Sequence, residues 1–214
     1  MWNIHKLYSD TAREIVKALR EYHILSQLSQ PGISKSNALA ERANREVQAT
    51  ARTLLLHAGL PSCFWPWAAP FATLMDNVLS KHNGKTPWEW THGEEWSSDL
   101  IPFGSSVAFH PNETQGAEYH KMDPRATVGV FAGYSLRDGY RWDGYYHVWD
   151  LRDFAELSLS MDANSADFRN LTAHRVKNLD TNREGSSFPL KAEYDRVNQT
   201  LEGIRGSRTT EGPL

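Results

Sequence analysis

The sequence predicts an α/β segment, followed by a helical connector, a small antiparallel β-barrel and a mostly disordered C-terminal tail. Three observations carry that expectation. Up to residue 58, short apolar runs alternate with helical stripes in the order strand, helix, strand, helix, as in an α/β layer. Residues 60–81 then form one stretch that is apolar almost all round, the pattern of a buried helix. From about residue 100, short strands, glycine-containing turns and many aromatics take over, which suits a small barrel.

The elements follow in order. Ile4 to Tyr8 suits a first strand, and Ser9-Asp10-Thr11 after it is a good helix N-cap cluster. Ile15, Val16, Ala18, Leu19 and Tyr22 give a helical stripe, and Ile24 to Leu28 a second short strand. Pro31-Gly32 marks a loop. Residues 37–58 are the clearest helix. Leu39, Ala43, Val47, Thr50, Leu54 and Ala58 recur on one face, with Glu41, Arg45, Gln48 and Arg52 opposite. Gly59 ends this helix in a C′ position. A Trp-rich helix follows, with a kink or an early first turn expected at Pro70. Pro87-Trp88-Glu89-Trp90 reads as one short helical turn. Val107–Phe109, Val128–Tyr134, a segment within Arg141–Asp150 and Phe154–Leu159 supply four strands. After residue 165 aromatic residues nearly vanish, so a mostly disordered tail is expected, with a transient helix near Leu190–Leu201. The expected divisions are residues 1–60, 61–98, 99–163 and 164–214.

Composition narrows the function classes. The chain has 214 residues, 40 % hydrophobic and 23 % charged, enough for a sizeable core. Its single cysteine, Cys63, excludes an internal disulfide framework and a multi-cysteine zinc cluster. Residues 1–10 lack the apolar stretch of a secretory signal. Ser62, Asp76 and Asn77 interrupt the most apolar stretch, so a buried helix is expected there and no membrane span. The net charge is −3, unevenly placed: residues 1–60 carry +3, residues 61–165 carry −7 and residues 166–214 carry +1. A polyanion is therefore expected at the N-terminal third. The nine histidines form no close ligand pair, and neither a glycine-rich phosphate loop nor a Gly-x-Ser-x-Gly elbow occurs. Trp142, Tyr145, Tyr146 and Trp149 could stack bases, but they lie in the acidic region, which favours core packing.

Asp10 and Glu41 stand out among the acidic residues. Asp10 follows a strand directly, and Glu41 lies in the first turn of the long helix. Two carboxylates brought together by an α/β layer can hold hard divalent cations for phosphoryl transfer. They can equally serve as a helix cap and as a favourable charge at a helix N-terminus. Composition and spacing leave both readings open.

Several segments carry a family resemblance. Ser9-Asp10-Thr11-Ala12-Arg13-Glu14, then Ser26-Gln27-Leu28-Ser29 with Pro31, then Asn37-Ala38-Leu39-Ala40-Glu41-Arg42 resemble successive segments of copia-type retrotransposon integrases. Ala51–Leu55, Gly59-Leu60-Pro61, Phe64-Trp65, Lys85–Glu89 and Phe103-Gly104 continue the match in order. Lys121–Ala126 and Phe131–Ser135 resemble the SH3-like segment that follows the integrase core. The resemblance implies a partial RNase H-like core, a helical connector and an SH3-like barrel. It implies that Asp10 and Glu41 are the second and third carboxylates of an Asp, Asp, Glu triad holding Mg²⁺ or Mn²⁺. It further implies that Arg42, Arg45, Gln48 and Arg52 meet DNA from one helix, that the partners are retroelement ends and target DNA, and that the full-length family forms homo-oligomers. Integration needs nuclear access, so a nuclear or cytoplasmic location is implied.

Three departures shape the expected activity. No acidic residue precedes Asp10, so the first carboxylate of the triad is missing and the isolated chain is expected to be inactive. Thr11 stands where the family usually has Asn, and Ala38 where Gly is common. The spacing from Asp10 to Glu41 is shorter than in retroviral integrases. The alternative is a non-catalytic protein- or nucleic-acid-binding remnant, in which the barrel and the Trp-rich helix bind a partner and the two carboxylates are vestigial caps.

Overall fold

A computed structural model describes residues 6–9, 12–28, 38–110, 126–181 and 185–200. The chain divides into two compact units, residues 1–48 and 49–214.

The first unit is a β–α–β arrangement. Strand β1 (Lys6–Ser9) pairs in parallel with β2 (Leu25–Leu28), from Lys6 opposite Leu25 to Ser9 opposite Leu28. Helix α1 (Arg13–Glu21) connects them, as parallel pairing requires a crossover. Ala12 stands at the N-cap of α1 with no side-chain cap bond. The expected cap cluster is thus revised at Ser9, which ends β1, while Asp10 and Thr11 lie outside the described residues. Helix α1 stops where His23 turns left-handed, at φ 53°. Of its apolar stripe, Leu19 is buried and Tyr22 is 75 % exposed. Helix α2 (Ala38–Ala58) begins in this unit and ends in the other.

The second unit holds the main core. The last turns of α2 bury Ala51, Leu55 and Ala58, whereas Leu39 at the helix start is 84 % exposed. Of the expected stripe Ala58 is buried and Leu54 packs against the core while Thr50 is exposed, so the face that meets the core, with Ala51 and Leu55, is turned from the expected one. Gly59, at φ 72°, closes α2. Its N–H donates to the Leu56 carbonyl at 3.4 Å, and the Leu60 N–H to Leu55 at 3.0 Å. This crossed pair satisfies the last carbonyls of a helix ended by a left-handed residue. A 3₁₀ turn (Ser62–Phe64) leads into α3 (Trp65–Leu79), which continues through Pro70. Helix α4 (Pro87–His92) is fixed by a reciprocal cap: the Glu89 N–H donates to Thr86 Oγ1 at 3.2 Å, and the Thr86 N–H to Glu89 Oε2 at 2.7 Å.

Five antiparallel strands complete the unit: β3 (Ser106–Phe109), β4 (Thr127–Arg137), β5 (Arg141–Asp150), β6 (Ala173–Val176) and β7 (Leu179–Thr181), in the order β6-β5-β4-β3-β7. The outer strands β6 and β7 are separated only by Lys177 and Asn178. Three peptide steps reach at most about 11 Å, while the edges of a flat five-stranded sheet lie about 19 Å apart. The sheet must therefore curl until its edges approach. Phe103, Phe109, Phe131, Val148 and Trp149 fill the interior, each at most 1 % exposed.

Two expectations need correction. Phe154–Leu159 is not a strand. Leu151–Phe154 is a 3₁₀ turn started by the Asp150 carboxylate, which accepts the Arg152 N–H at 2.9 Å, and Phe154 points inward, 5 % exposed. The tail reading also narrows. Strands β6 and β7 and helix α5 (Lys191–Val197) fall beyond residue 164, and Phe168, Val176, Leu190 and Tyr194 belong to the core. Residues 201–214 lie outside the described residues. The physical reason is that a few well-spaced apolar anchors are enough when the rest of the core already exists.

Helix α5 is held in two ways. Its start is seated on Gly59, where an added Cβ would lie 2.5 Å from Lys191 Cα. Its end is tied by Asn198, whose amide donates to the carbonyls of Leu159 and Tyr194 at 2.9 and 2.8 Å and accepts from the Met161 N–H at 2.7 Å.

Candidate functional site

Asp10 lies outside the described residues, between Ser9, the last residue of β1, and α1. Loops after the carboxyl ends of parallel strands are where α/β layers place ligands. Glu41 sits in the first turn of α2 and is exposed. A hard carboxylate oxygen there suits Mg²⁺ or Mn²⁺, but one described carboxylate is not a metal centre. Among the described residues no group of three His, Cys, Asp or Glu is placed to hold a metal.

The helix face around Glu41 is explicit. At 100° per residue, Glu41, Arg45, Gln48 and Arg52 fall within about 60° of arc and rise over about 16 Å, with Arg42 on the flank. All five are exposed. The buried Ala51, Leu55 and Ala58 lie along one flank of this strip, with Leu55 within about 20° of arc of Gln48. The exposed strip presents cations that can reach phosphate oxygens along a polyanion.

The aromatic residues of the barrel are engaged elsewhere. Trp149 is 1 % exposed. The Trp142 indole donates to the Tyr145 carbonyl at 3.0 Å, and Tyr146 Oη shares a hydrogen bond with Ser98 at 2.9 Å. The Arg175 guanidinium covers the Tyr145 ring at 3.6 Å. Trp149 thus belongs to the core, Trp142 and Tyr146 pack against it, and Tyr145 lies under Arg175. Cys63 is half-buried, and burial pushes its thiol pKa up, the opposite of an activated nucleophile.

Sequence reasoning missed two features. The first is a polar knot on the barrel. Asp143 Oδ2 accepts from Arg175 at 2.8 Å and from Ser135 Oγ at 3.2 Å, and Arg137 stands 3.6 Å away. Burial alone would raise the Asp143 carboxyl. The hydrogen bonds from Arg175, Ser135 and the Tyr145 amide outweigh it and hold the pKa below the usual carboxylate value. The second is an apolar groove of about 470 Å³ between α3 and β4, with Trp67, Phe71, Leu74, Tyr134 and Leu136 among its walls and His147 at its edge. Burial pulls His147 below its ordinary pKa, so the imidazole is neutral at pH 7. The polar partners of Asp143 come from three strands, and periodicity carries no signal for them.

No family model matches the sequence. Individual relatives do. Over 192 residues the chain is 32 % identical to a protein of Arabidopsis thaliana named retrovirus-related Pol polyprotein from transposon RE1, covering 86 % of this chain and 13 % of that protein. It is 31 % identical over 140 residues to the corresponding polyprotein from transposon RE2 of the same plant, covering 62 % of this chain and 9 % of that one. The polyprotein from transposon TNT 1-94 of Nicotiana tabacum is 30 % identical over 142 residues, again 62 % of this chain and 10 % of the relative. A mixed α/β chain with these relatives is of the retrotransposon polyprotein class. It belongs to the copia-type retrotransposon Pol polyproteins, and it spans about an eighth or less of the length of the relatives it matches. None of the described helices is long and apolar enough to cross a membrane.

Proposed function

We propose that this chain is the integrase portion of such a polyprotein, comprising part of an RNase H-like core and an SH3-like barrel. The observation that carries the reading is the order β1, Asp10, α1, β2, then Glu41 on a long helix with an exposed basic strip, in a chain related to retrotransposon Pol polyproteins. In this reading Asp10 and Glu41 hold Mg²⁺ or Mn²⁺, which supplies Lewis acidity for phosphoryl transfer. Arg42, Arg45 and Arg52 neutralise DNA phosphates, and Gln48 adds a hydrogen bond along the same strip. The curled five-stranded sheet, closed by the β6–β7 link, is read as the SH3-like part.

The test is metal-linked stability. With Mn²⁺ at ten times its Kd, stabilisation of the folded state is about 1.4 kcal/mol, a Tm rise of about 3–6 °C for a chain of this size. The rise is expected in the parent and lost in Asp10→Asn and in Glu41→Gln. An equal rise in all three proteins would sink the assignment of these carboxylates.

The α3–β4 groove supports a second reading, a non-catalytic module that binds a partner through the Trp-rich helix and the barrel. In that case Mn²⁺ leaves Tm unchanged, and protein binding survives substitution of Asp10 and Glu41.

A further inference from the structure

The charge excess of the N-terminal third is not confined to α2. Helix α1 carries Arg13, Lys17 and Arg20 at relative positions i, i+4 and i+7, within about 60° of arc. Its acidic residues Glu14 and Glu21 are turned to one flank of that strip. The three cations line an open groove of about 460 Å³, with Val16 and Leu28 as its apolar part and Glu21 at its rim. Leu28 comes from the end of β2, so the groove exists only because the parallel pairing sets that strand beside the helix. Lys17 meets Glu21 at 3.9 Å, with both side chains mostly exposed. Such a contact contributes little and competes poorly with a ligand. Arg13 and Arg20 make no ion pair among the described residues.

The geometry points to a second phosphate-binding surface in this groove, one that takes the backbone of a DNA strand. The choice of DNA rests on the reading under Proposed function; the groove itself asks for a polyanion. The three cations rise over about 10 Å along α1, the length of about three nucleotides of one strand. Their guanidinium and ammonium groups can meet successive phosphates, while sugars pack on Val16 and Leu28. The surface differs from the α2 strip in its residues and its helix, so the two can be removed separately.

The experiment is fluorescence anisotropy of a 20-base-pair duplex with the full chain across a salt series. The double variant Arg13→Gln, Arg20→Gln is compared with Arg42→Gln, Arg45→Gln, and circular dichroism confirms helix content in each. The α1 variant is expected to bind roughly tenfold more weakly at low salt, with a log–log salt slope shallower by about 2. A four-fold variant that also carries Glu14→Gln and Glu95→Gln keeps the net charge of the parent, and its binding is expected to stay weak. Recovery of parental affinity in that variant overturns the proposal, because net charge then explains the effect. Unchanged binding by the α1 variant with loss in the α2 variant overturns it too, leaving the α2 reading intact. Unchanged binding by both variants removes both surfaces. Binding of polyglutamate through Arg13 and Arg20 without binding of duplex also overturns it, assigning the groove to an acidic protein.

Discussion

Asp143 shows how one side chain can organise three strands. It lies on β5, its hydroxyl donor Ser135 on β4 and its guanidinium donor Arg175 on β6. Its carboxyl pKa is lower in the folded chain than in the unfolded one, so its stabilisation is complete above the unfolded value near 4 and is lost as pH falls through the folded value. Asp150, where the Arg152 hydrogen bonds outweigh burial, contributes with the same sign. Chemical denaturation between pH 5 and pH 2 is expected to show falling stability, with a shallower fall in Asp143→Asn. An unchanged slope in that variant would place the acid sensitivity elsewhere. Arg175→Ala removes a charged hydrogen bond and the cover of Tyr145, and is expected to cost about 2 kcal/mol. None of this was legible in the sequence, because the partners are eight and more than thirty residues apart and no periodicity joins them. The arginines of α2 are the opposite case: their spacing of three and four residues fixes their shared face before any fold is known.

Helix ends decide how the elements join. Gly59 needs a left-handed backbone and leaves no room for a Cβ against Lys191, whereas Gly84, at φ 84°, faces open space. Gly84→Ala is therefore expected to cost about 1 kcal/mol, the backbone penalty alone. Gly59→Ala should cost at least about 2 kcal/mol, because α5 must also shift. Equal losses in the two variants, measured by urea denaturation, would mean that α5 is not seated as described. Thr86→Ala is expected to cost about 1 kcal/mol through loss of the cap on α4. At this scale much was readable. The bounds of α2, its glycine stop and the strands around Val107, Val130 and Val148 follow from periodicity and turn residues. Phe154–Leu159 failed because a side-chain cap from Asp150 outweighed local strand propensity. Strands β6 and β7 failed because Phe168 and Val176 are spread through a polar stretch, and their value depends on a core built by earlier residues, whereas α5 falls where a helix was expected near Leu190–Leu201. Asp10 and Glu41 stood out by their places after a strand and in the first turn of a helix; spacing left them as caps or ligands, and the ligand role came from the family resemblance.

The two units differ in how much they bury. Leu19 and Ser9 are the buried described residues of the first, while the second holds the aromatic and aliphatic core. A two-stranded sheet has little independent stability. Amide hydrogen exchange is therefore expected to be fast in β1 and β2 and slowest in β4 and β5; equal protection in both would contradict this difference. The seat of α5 on Gly59 also has a consequence for synthesis. The end of α2 leaves the ribosome more than a hundred residues before α5 does, about 7–30 s earlier at ordinary elongation rates. Through that interval Ala58, Leu60 and the inner face of the growing sheet have no C-terminal cover. The nascent chain must then wait, with apolar surface in reach of chaperones, until α5 arrives.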